Sequence, residues 1–358
     1  MRSPSSVQPG SPASRDRAAC ASSLVIGSTI PIRPMEHVPA CSRIAPSPTG
    51  PLHLGNACTF LVNWALARRH GWRLVLRIED LDRERTRAAG DADVEELLGW
   101  LGIDHDGPVI RQSARLPAYE AAMERLAAQG LVYESPHSRA EVREAAQALS
   151  APHAGDAPTP FPATLRPEER AAWRFVRHDV NHRMQMDPGV ERIADEVAGA
   201  HSFDPAASDG DCIVWTKAGH PAYQLAVTVD DLAQGVTDVV RGDDLLPSAA
   251  IQARIHRALG GTPPRWWHLP LVLDAGGARM AKRRGSRSLA SLREAGATAD
   301  RIRGLVLAWI GAREAPAPAG ASEFRDAVDV NILRAWHERS RRTPVVADDA
   351  SLTWLRGR

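Results

Sequence analysis

From residue 42 onwards the chain alternates between short apolar runs, which are typical of strands, and apolar residues at helical spacing. Residues 1–40 show neither pattern. Residues 43–46 and 73–78 are short apolar runs, which predict buried strands. Between these runs, residues 57–70 carry apolar side chains at helical spacing and are followed by Gly71, a residue typical of helix ends. Because strand, helix and strand follow one another with short links, we predict a parallel α/β sheet.

The remainder of the chain continues this alternation, with two interruptions. Apolar periodicity predicts helices at residues 91–101, 116–129, 247–259 and 332–338, and strands at residues 236–240 and 269–273. Residues 213–215 and 223–229 predict a hairpin that turns at residues 217–219. Five prolines within residues 150–167 indicate a loop or an irregular inserted module, and the Pro-, Ala- and Gly-rich residues 315–321 indicate a linker before a weakly structured tail.

Composition is that of a globular protein and argues against several other classes. The 358 residues carry 44 Lys and Arg against 43 Asp and Glu, so any basic surface that contacts nucleic acid must be local. The four cysteines form no CxxC pair, which argues against a disulfide framework and favours a reducing, cytoplasmic setting. No apolar run is long enough to predict a membrane span. Residues 1–40, with eight Ser, six Pro and two Gly, predict a disordered N-terminal extension.

Two loops contain the residue types that bind phosphate groups. Residues 48–56 place two glycines and His53 between a predicted strand and a predicted helix, whose first N–H groups can bind an anion. Residues 279–286 contain Lys282, one of only two lysines, and a central Lys can neutralise charge that develops on a transferring phosphate. The plainer alternatives are a Pro/Gly turn with an incidental histidine and a solvated run of charge.

A series of segments, taken in order, resembles the glutamyl form of class I aminoacyl-tRNA synthetases. Residues 43–56, RIAPSPTGPLHLGN, resemble the HIGH signature of that family, and residues 279–283, RMAKR, resemble its KMSKS loop in a degenerate form. Residues 77–82, RIEDLD, residues 222–226, AYQLA, and residues 239–246, VVRGDDLL, match the same family between them. The resemblance implies an α/β fold with a Rossmann-like parallel-sheet catalytic domain.

The resemblance also implies how the chain is divided. A disordered extension (residues 1–40) would precede a class I catalytic domain (residues 41–314), with an α/β acceptor-end module inserted at about residues 133–212. Residues 315–358 would be a linker and a short tail, without the anticodon-binding domain of full glutamyl-tRNA synthetases. This architecture is similar to the truncated glutamyl-Q branch of the family. Its members activate L-glutamate with ATP without needing tRNA, and attach it to the queuosine base at the wobble position of tRNA(Asp).

Roles at individual positions follow from the same resemblance. It implies that the L-glutamate substrate contacts Arg43, Ile44, Ala45, Pro46, Ser47, Glu79, Tyr223 and Arg241. The HIGH-like motif is formed by Pro46, Ser47, Pro48, Thr49, Gly50, Pro51, Leu52, His53, Leu54, Gly55 and Asn56. The KMSKS-like motif is formed by Arg279, Met280, Ala281, Lys282 and Arg283. His53 and Lys282 would be catalytic and would bind ATP together with Gly55 and Asn56, and Mg²⁺ would accompany the nucleotide. The residue types suit this substrate, because Arg can hold a carboxylate in a bidentate fork and Glu can pair with an ammonium group.

Zinc is one point at which the chain departs from the resembled family, whose members often carry a zinc module. The corresponding ligand positions are Ser135, His137, Phe161 and Leu165. Of these, a zinc ion could use His137, and a single histidine does not make a site. We therefore predict no structural zinc.

Two other functions remain open at this point. One is a glutamyl-tRNA synthetase that lacks its anticodon-binding domain, and the other is a catalytically idle module that binds nucleotide or RNA. Retention of His53, Glu79, Tyr223, Arg241 and Lys282 argues against the idle module, because a module without catalysis does not need all of them. We expect a monomer whose partners are L-glutamate and queuosine-containing tRNA(Asp), with no membrane attachment.

Overall fold

The computed structural model describes residues 39–48, 50–81, 91–149, 160–169, 171–177, 179–280 and 288–357. Predictions for residues 1–38, Thr49, Ala281, Lys282 and Arg283 therefore lie outside the described residues. The segment Pro39–Arg358 forms one compact unit.

Short strands and helices alternate along the described chain. The strands are β1 (Cys41–Ile44), β2 (Arg73–Ile78), β3 (Ile110–Arg111), β4 (Val132–Ser135), β5 (Asn181–Met184), β6 (Glu191–Asp195), β7 (Gly199–Phe203), β8 (Cys212–Trp215), β9 (Asp238–Gly242), β10 (Arg265–Leu269), β11 (Val272–Asp274) and β12 (Val345–Ala347). The helices are α1 (Leu54–His70), α2 (Asp91–Trp100), α3 (Leu116–Ala128), α4 (Arg139–Leu149), α5 (Pro205–Ser208), α6 (Tyr223–Gln234), α7 (Leu246–Ala258), α8 (Leu289–Glu294), α9 (Ala299–Ile310), α10 (Ala321–Ala327), α11 (Val330–Ser340) and α12 (Asp349–Leu355).

A parallel sheet in two adjoining parts forms the centre of the fold. In one part β1, β2 and β3 pair in parallel, and in the other β10 pairs in parallel with β9 and β6, with β7 antiparallel beside β6. β1 lies beside β9, because Thr237 N–H donates to the Cys41 carbonyl at 2.9 Å and Arg43 donates to the Val240 carbonyl at 3.2 Å. From this junction β2 and β3 follow β1 on one side, and β10, β6 and β7 follow β9 on the other. Open α/β sheets bind ligands at such a switch point. The predicted parallel α/β fold is confirmed.

Helix α1 packs in the main hydrophobic core. It begins three residues earlier than predicted, at Leu54, because His53 caps its first turn, and it ends at Gly71, whose φ of 67° is left-handed. Leu54, Leu61 and other side chains on several of its faces are fully buried. Burying a leucine contributes about 1.5–3 kcal/mol, so this helix is anchored strongly enough to hold its first turn in place.

A second sheet and a second core lie beside the first. β4, β5 and β8 form an antiparallel sheet, and α3, α6 and α7 pack against it around Tyr119, Met184 and Trp215. The expected insert at about residues 133–212 is therefore not one continuous module. β6 and β7 fall inside that range but belong to the central sheet, so the chain leaves that sheet, returns to it and leaves again.

The predicted hairpin at residues 213–215 and 223–229 is wrong. The turn after β8 exists, with Thr216 N–H donating to the His220 carbonyl at 2.9 Å, but Tyr223–Gln234 continues as helix α6. β-Branched residues favour strands in isolation, whereas here the apolar positions pack against both β8 and α7. Pro221 just before the helix and Gly235 at its end, with φ 67°, are the local signals that favoured the helix.

The C-terminal part also differs from the prediction. The run at residues 269–273 is split, because Pro270 separates β10 from β11 and has no N–H for a ladder. The tail is folded rather than weakly structured: Phe324, Trp336 and Leu355 are fully buried in the main core, and β12 pairs in parallel with β11. Asp side chains cap α11 and α12, so several short helices are stabilised where one was predicted.

Candidate active site

A cavity of about 630 Å³ opens at the carboxyl edge of the parallel strands. Its walls come from the residues that follow β1 and β2, from the ends of β9 and β10, and from the first turn of α1. Of the residues predicted to contact glutamate, the wall includes Arg43, Ala45, Pro46, Ser47, Glu79, Tyr223 and Arg241. Ile44 packs in the main hydrophobic core. Parallel strands end at one edge, which is why residues nearly 200 positions apart meet here.

The HIGH-like loop forms one end of the cavity. Eight of its residues line the wall: Pro46, Ser47, Gly50, Pro51, Leu52, His53, Gly55 and Asn56. Pro48 and Leu54 are buried, and Thr49 lies outside the described residues. The loop is tied to the neighbouring strand end by the Glu79 N–H, which donates to the Pro46 carbonyl at 3.0 Å.

His53 and Asn56 form a reciprocal cap at the start of α1. The Asn56 N–H donates to His53 Nδ1 at 3.4 Å, and the His53 N–H donates to Asn56 Oδ1 at 3.0 Å. Because Nδ1 accepts, the neutral ring carries its proton on Nε2. A Cβ at Gly55 would lie 3.1 Å from the His53 ring, so glycine allows the ring to lie over the first turn. The first-turn N–H groups and this ring form a site suited to a phosphate.

Glu79, also on the cavity wall, is held by a buried arginine. Arg77 Nη2 donates to Glu79 Oε1 at 3.2 Å, and Arg77 Nη1 donates to Asp231 Oδ1 at 2.6 Å. Burial raises the pKa of the Glu79 carboxyl, and the nearby Arg77 and Arg43 guanidinium groups act against that rise. Burial also opposes ionisation of Asp231, yet the same two guanidinium groups hold its pKa below the usual value. The Glu79 carboxylate is therefore fixed in place and can pair with an ammonium group.

Arg43 reaches the cavity from β1 and has an acidic partner. Its Nε lies 3.4 Å from Asp231 Oδ1, and the Asn63 amide donates to the Arg43 carbonyl at 2.9 Å. Asn63 also accepts from Ser42 Oγ at 2.8 Å, so a buried polar chain fixes the end of β1. The charge of Arg43 is thus partly balanced within the protein.

Arg241 differs from Arg43, because its partners are neutral. It is 5% exposed, and its guanidinium donates to His268 Nε2 at 3.0 Å, to Gln252 Oε1 at 2.8 Å and to the Leu245 carbonyl at 3.1 Å. The guanidinium also lies over the Trp266 ring, 4.9 Å from its centroid. Within the described part of the chain no carboxylate forms an ion pair with it, and burial lowers its pKa. A buried cation without an acidic partner on a cavity wall is suited to an anionic ligand.

The KMSKS-like loop is described only at its edges. Arg279 and Met280 line the cavity, and Arg279 forms an ion pair with Asp244 at 2.5 Å. On the other side of the loop, Leu289 N–H donates to the Leu52 carbonyl at 2.8 Å, and Ser288 bridges to His53. The chain therefore enters residues 281–287 from the cavity wall and leaves them beside the HIGH-like loop.

Residues beside the positions of the family zinc ligands are joined by other contacts. Asp211 is fully buried and accepts from Tyr133 Oη at 2.6 Å, from the Met186 N–H at 2.8 Å, and from Arg166 through Nε at 2.7 Å and Nη2 at 2.6 Å. The Arg183 guanidinium lies over the Phe161 ring, 3.9 Å from its centroid. Over the residues given a structure here, no group of three or more His, Cys, Asp or Glu side chains could hold a metal.

Several residues that build this site were missed from sequence. Asp231 holds Arg77, which in turn holds Glu79. Gln252, His268 and the Leu245 carbonyl hold Arg241. The acidic pair Asp230–Asp231 is the sequence signal for a partner of a buried arginine. The strand predicted at residues 223–229 did not indicate that both residues lie on a helix behind the site.

Comparison with known proteins assigns the chain to a family. The sequence pattern of the tRNA synthetases class I (E and Q), catalytic domain, matches residues 40–342. The chain is 40% identical over 302 residues to the glutamyl-Q tRNA(Asp) synthetase of Symbiobacterium thermophilum, which covers 81% of this chain and 92% of that protein. The chain belongs to the glutamyl-Q tRNA(Asp) synthetase family.

Other similarities agree with this assignment. The glutamyl-Q tRNA(Asp) synthetase of Rhodobacter capsulatus is 39% identical over 277 residues, covering 74% of this chain and 99% of that protein. The solved glutamate-tRNA synthetase of Elizabethkingia anophelis has the same fold, with a TM-score of 0.69 at 24% identity over 88% of this chain and 70% of that chain. This family member is thus a ligase of the aminoacyl-tRNA synthetase type. None of its described helices has the length and apolar character that a membrane crossing requires.

Proposed function

We propose that this chain activates L-glutamate with ATP without needing tRNA, and then transfers the glutamyl group to the queuosine base of tRNA(Asp). The observation that carries the proposal is Arg241, a buried guanidinium on the cavity wall whose protein partners are neutral. An amino acid with an acidic side chain supplies the missing negative charge. Glu79, fixed by Arg77, provides the complementary charge for the α-ammonium group.

In the activation step an oxygen of the glutamate α-carboxylate attacks the α-phosphorus of ATP. A carboxylate–phosphate bond forms, the bond between the α-phosphorus and the bridging oxygen breaks, and pyrophosphate leaves. No protein nucleophile takes part, so the protein contributes by positioning the reactants and stabilising charge. The first turn of α1, with His53 and Asn56, is the part of the cavity suited to the phosphate groups.

Lys282 is proposed to neutralise charge on the leaving pyrophosphate. It lies outside the described residues, but Met280, two positions earlier, lines the cavity, and Ser288, six positions later, bridges to His53. Both ends of the loop thus lie within reach of the phosphate site. Mg²⁺ would be held mainly by the nucleotide phosphates and water, as is usual for this ion, with Asp244 as an acidic side chain on the adjacent wall.

The proposed setting is a monomer in the cytoplasm. Cys41, Cys58 and Cys212 are buried free thiols, which suits a reducing compartment. Burial raises the pKa of both Cys58 and Cys212 to about 12, so these thiols remain protonated and unreactive.

The test is glutamate-dependent exchange of labelled pyrophosphate into ATP, followed by transfer to matched tRNAs. We expect exchange without tRNA, and glutamylation of tRNA(Asp) that carries queuosine but not of the same tRNA with guanine at the wobble position. Exchange that requires tRNA(Glu) would instead support a glutamyl-tRNA synthetase without its anticodon-binding domain. Absence of exchange under every condition would support an idle binding module and overturn the proposal.

A further inference from the structure

Arg241 is held in one orientation by contacts on three sides. Its guanidinium N–H groups donate to His268 Nε2, Gln252 Oε1 and the Leu245 carbonyl, which leaves one N–H on each terminal nitrogen for the cavity side, where the Tyr223 side chain also interacts with the guanidinium. Gln252 is itself held, because its Nε2 donates to Gln224 Oε1 at 2.8 Å. The contact with His268 differs from the others, because an imidazole nitrogen accepts only when it carries no proton.

Asp195 fixes the proton on the other nitrogen of His268. Its Oδ2 lies 2.6 Å from His268 Nδ1, and both side chains are fully buried. The Asp195 carboxylate is itself held by the backbone N–H groups of Val197 at 2.9 Å and Ala198 at 2.7 Å. A carboxylate cannot donate, so Nδ1 must donate to it, and Nε2 is left with the lone pair that Arg241 needs.

We propose that His268 and Asp195 are positioning residues that orient Arg241 toward the carboxylate of the amino acid substrate. This inference rests on the proposed function. Neither residue lines the cavity, so neither touches the substrate, and both act through Arg241. If the imidazole proton moved to Nε2, two donors would face each other and the guanidinium would rotate away from its bidentate geometry.

The burial and charge around His268 agree with this arrangement. Burial lowers the pKa of His268 to about 4, so the ring stays neutral at the pH of ordinary assays. Burial acts against ionisation of Asp195, but the hydrogen bond from His268 and the backbone N–H groups hold its pKa below the usual value. β6 supplies the carboxylate and β10 supplies the ring, so the pairing of these two strands sets the distance between them.

The test uses pyrophosphate exchange with separate titrations of glutamate and ATP. His268→Leu removes the acceptor and is expected to raise KM for glutamate by about tenfold, the effect of losing about 1.4 kcal/mol of binding, with KM for ATP unchanged. His268→Gln, whose amide offers an acceptor and a donor, should return KM for glutamate to within about threefold of the unsubstituted protein. His182→Leu, which removes another buried histidine that lies off the cavity wall, is the matched control and should leave both KM values unchanged.

Asp195→Asn provides a second variant of nearly the same shape in case His268→Leu does not fold. Its amide can donate to Nδ1 and move the ring proton to Nε2, so KM for glutamate should rise by at least about threefold. An unchanged KM for glutamate in folded His268→Leu or Asp195→Asn would overturn this inference. The proposed function would still stand in that case, provided that the unsubstituted protein catalyses exchange. An equal rise in both KM values would also overturn it, because that indicates general distortion. No exchange by the unsubstituted protein would overturn the proposed function first.

Discussion

Asp211 allows a quantitative test of what stabilises the region that lacks the family zinc ligands. Its buried carboxylate accepts from Tyr133 on β4, from the Met186 N–H just after β5 and twice from Arg166, and so joins three segments of this region. The perturbation is Asp211→Asn, which keeps the volume but removes the charge and turns an amide N–H₂ toward Arg166. We expect this change to destabilise the fold without altering the composition of the core.

The size of the effect follows from the burial of the two partners. Removing one partner of a buried ion pair costs about 3–5 kcal/mol, because the remaining charge is left unpaired. The Arg166 side chain is 18% exposed while the Asp211 side chain is fully buried, so water can partly solvate the arginine after the substitution. The expected loss is therefore at the lower end, about 3 kcal/mol, a large share of the ~5–15 kcal/mol stability of a typical protein.

The assay is urea unfolding followed by tryptophan fluorescence, since Trp215 lies in the core of this region and the partly buried Trp173 packs against it. Glu96→Gln is the matched control, because it removes a carboxylate from an exposed pair with Arg293 and should cost less than about 1 kcal/mol. A loss below about 1 kcal/mol for Asp211→Asn would refute the reasoning. A chelator should leave the midpoint of the unsubstituted protein unchanged, and a shift would contradict the prediction of no structural zinc.

Three further predictions concern charge and protonation. Lys282→Ala should lower pyrophosphate exchange by at least about tenfold with an unchanged circular dichroism spectrum, and normal exchange would contradict its role at the phosphates. Glu79→Gln should raise KM for glutamate more than KM for ATP, because it removes the charge expected to pair with the α-ammonium group; equal changes in both would argue against that pairing. Burial lowers the pKa of His256 to about 4 from 6.5, so between these pH values the unfolded chain binds the proton and the folded chain does not. The free energy of unfolding should therefore fall as pH falls from 6.5 to 4. His256→Leu should reduce the slope of the free energy of unfolding against pH by about 1.4 kcal/mol per pH unit, in denaturation measured at several pH values. An unchanged slope would show that His256 does not titrate in this way.

The sequence determined the elements whose signals are local. β2 and the end of α1 at Gly71 lie where the apolar pattern placed them, because periodicity and a C-terminal glycine act over a few residues. The order of a strand, a turn and a helix around residues 43–56 also followed from sequence, although β1 lies two residues earlier than predicted and α1 begins three residues earlier. The resemblance to a family added the residues that share the cavity, which no local pattern could have joined.

Only the tertiary structure decided how those residues are held. Tyr223–Gln234 became a helix because its apolar side chains pack against β8 and α7, and this places Asp231 beside Arg77 across 154 positions of sequence. The sequence shows Arg241 as one arginine among many, whereas the fold buries it among neutral partners, and Asp195 meets His268 because β6 pairs with β10. Local preferences extend over single turns and strands. The charge that a binding site leaves unpaired depends on which distant strands and helices pack together, and that is a property of the whole fold.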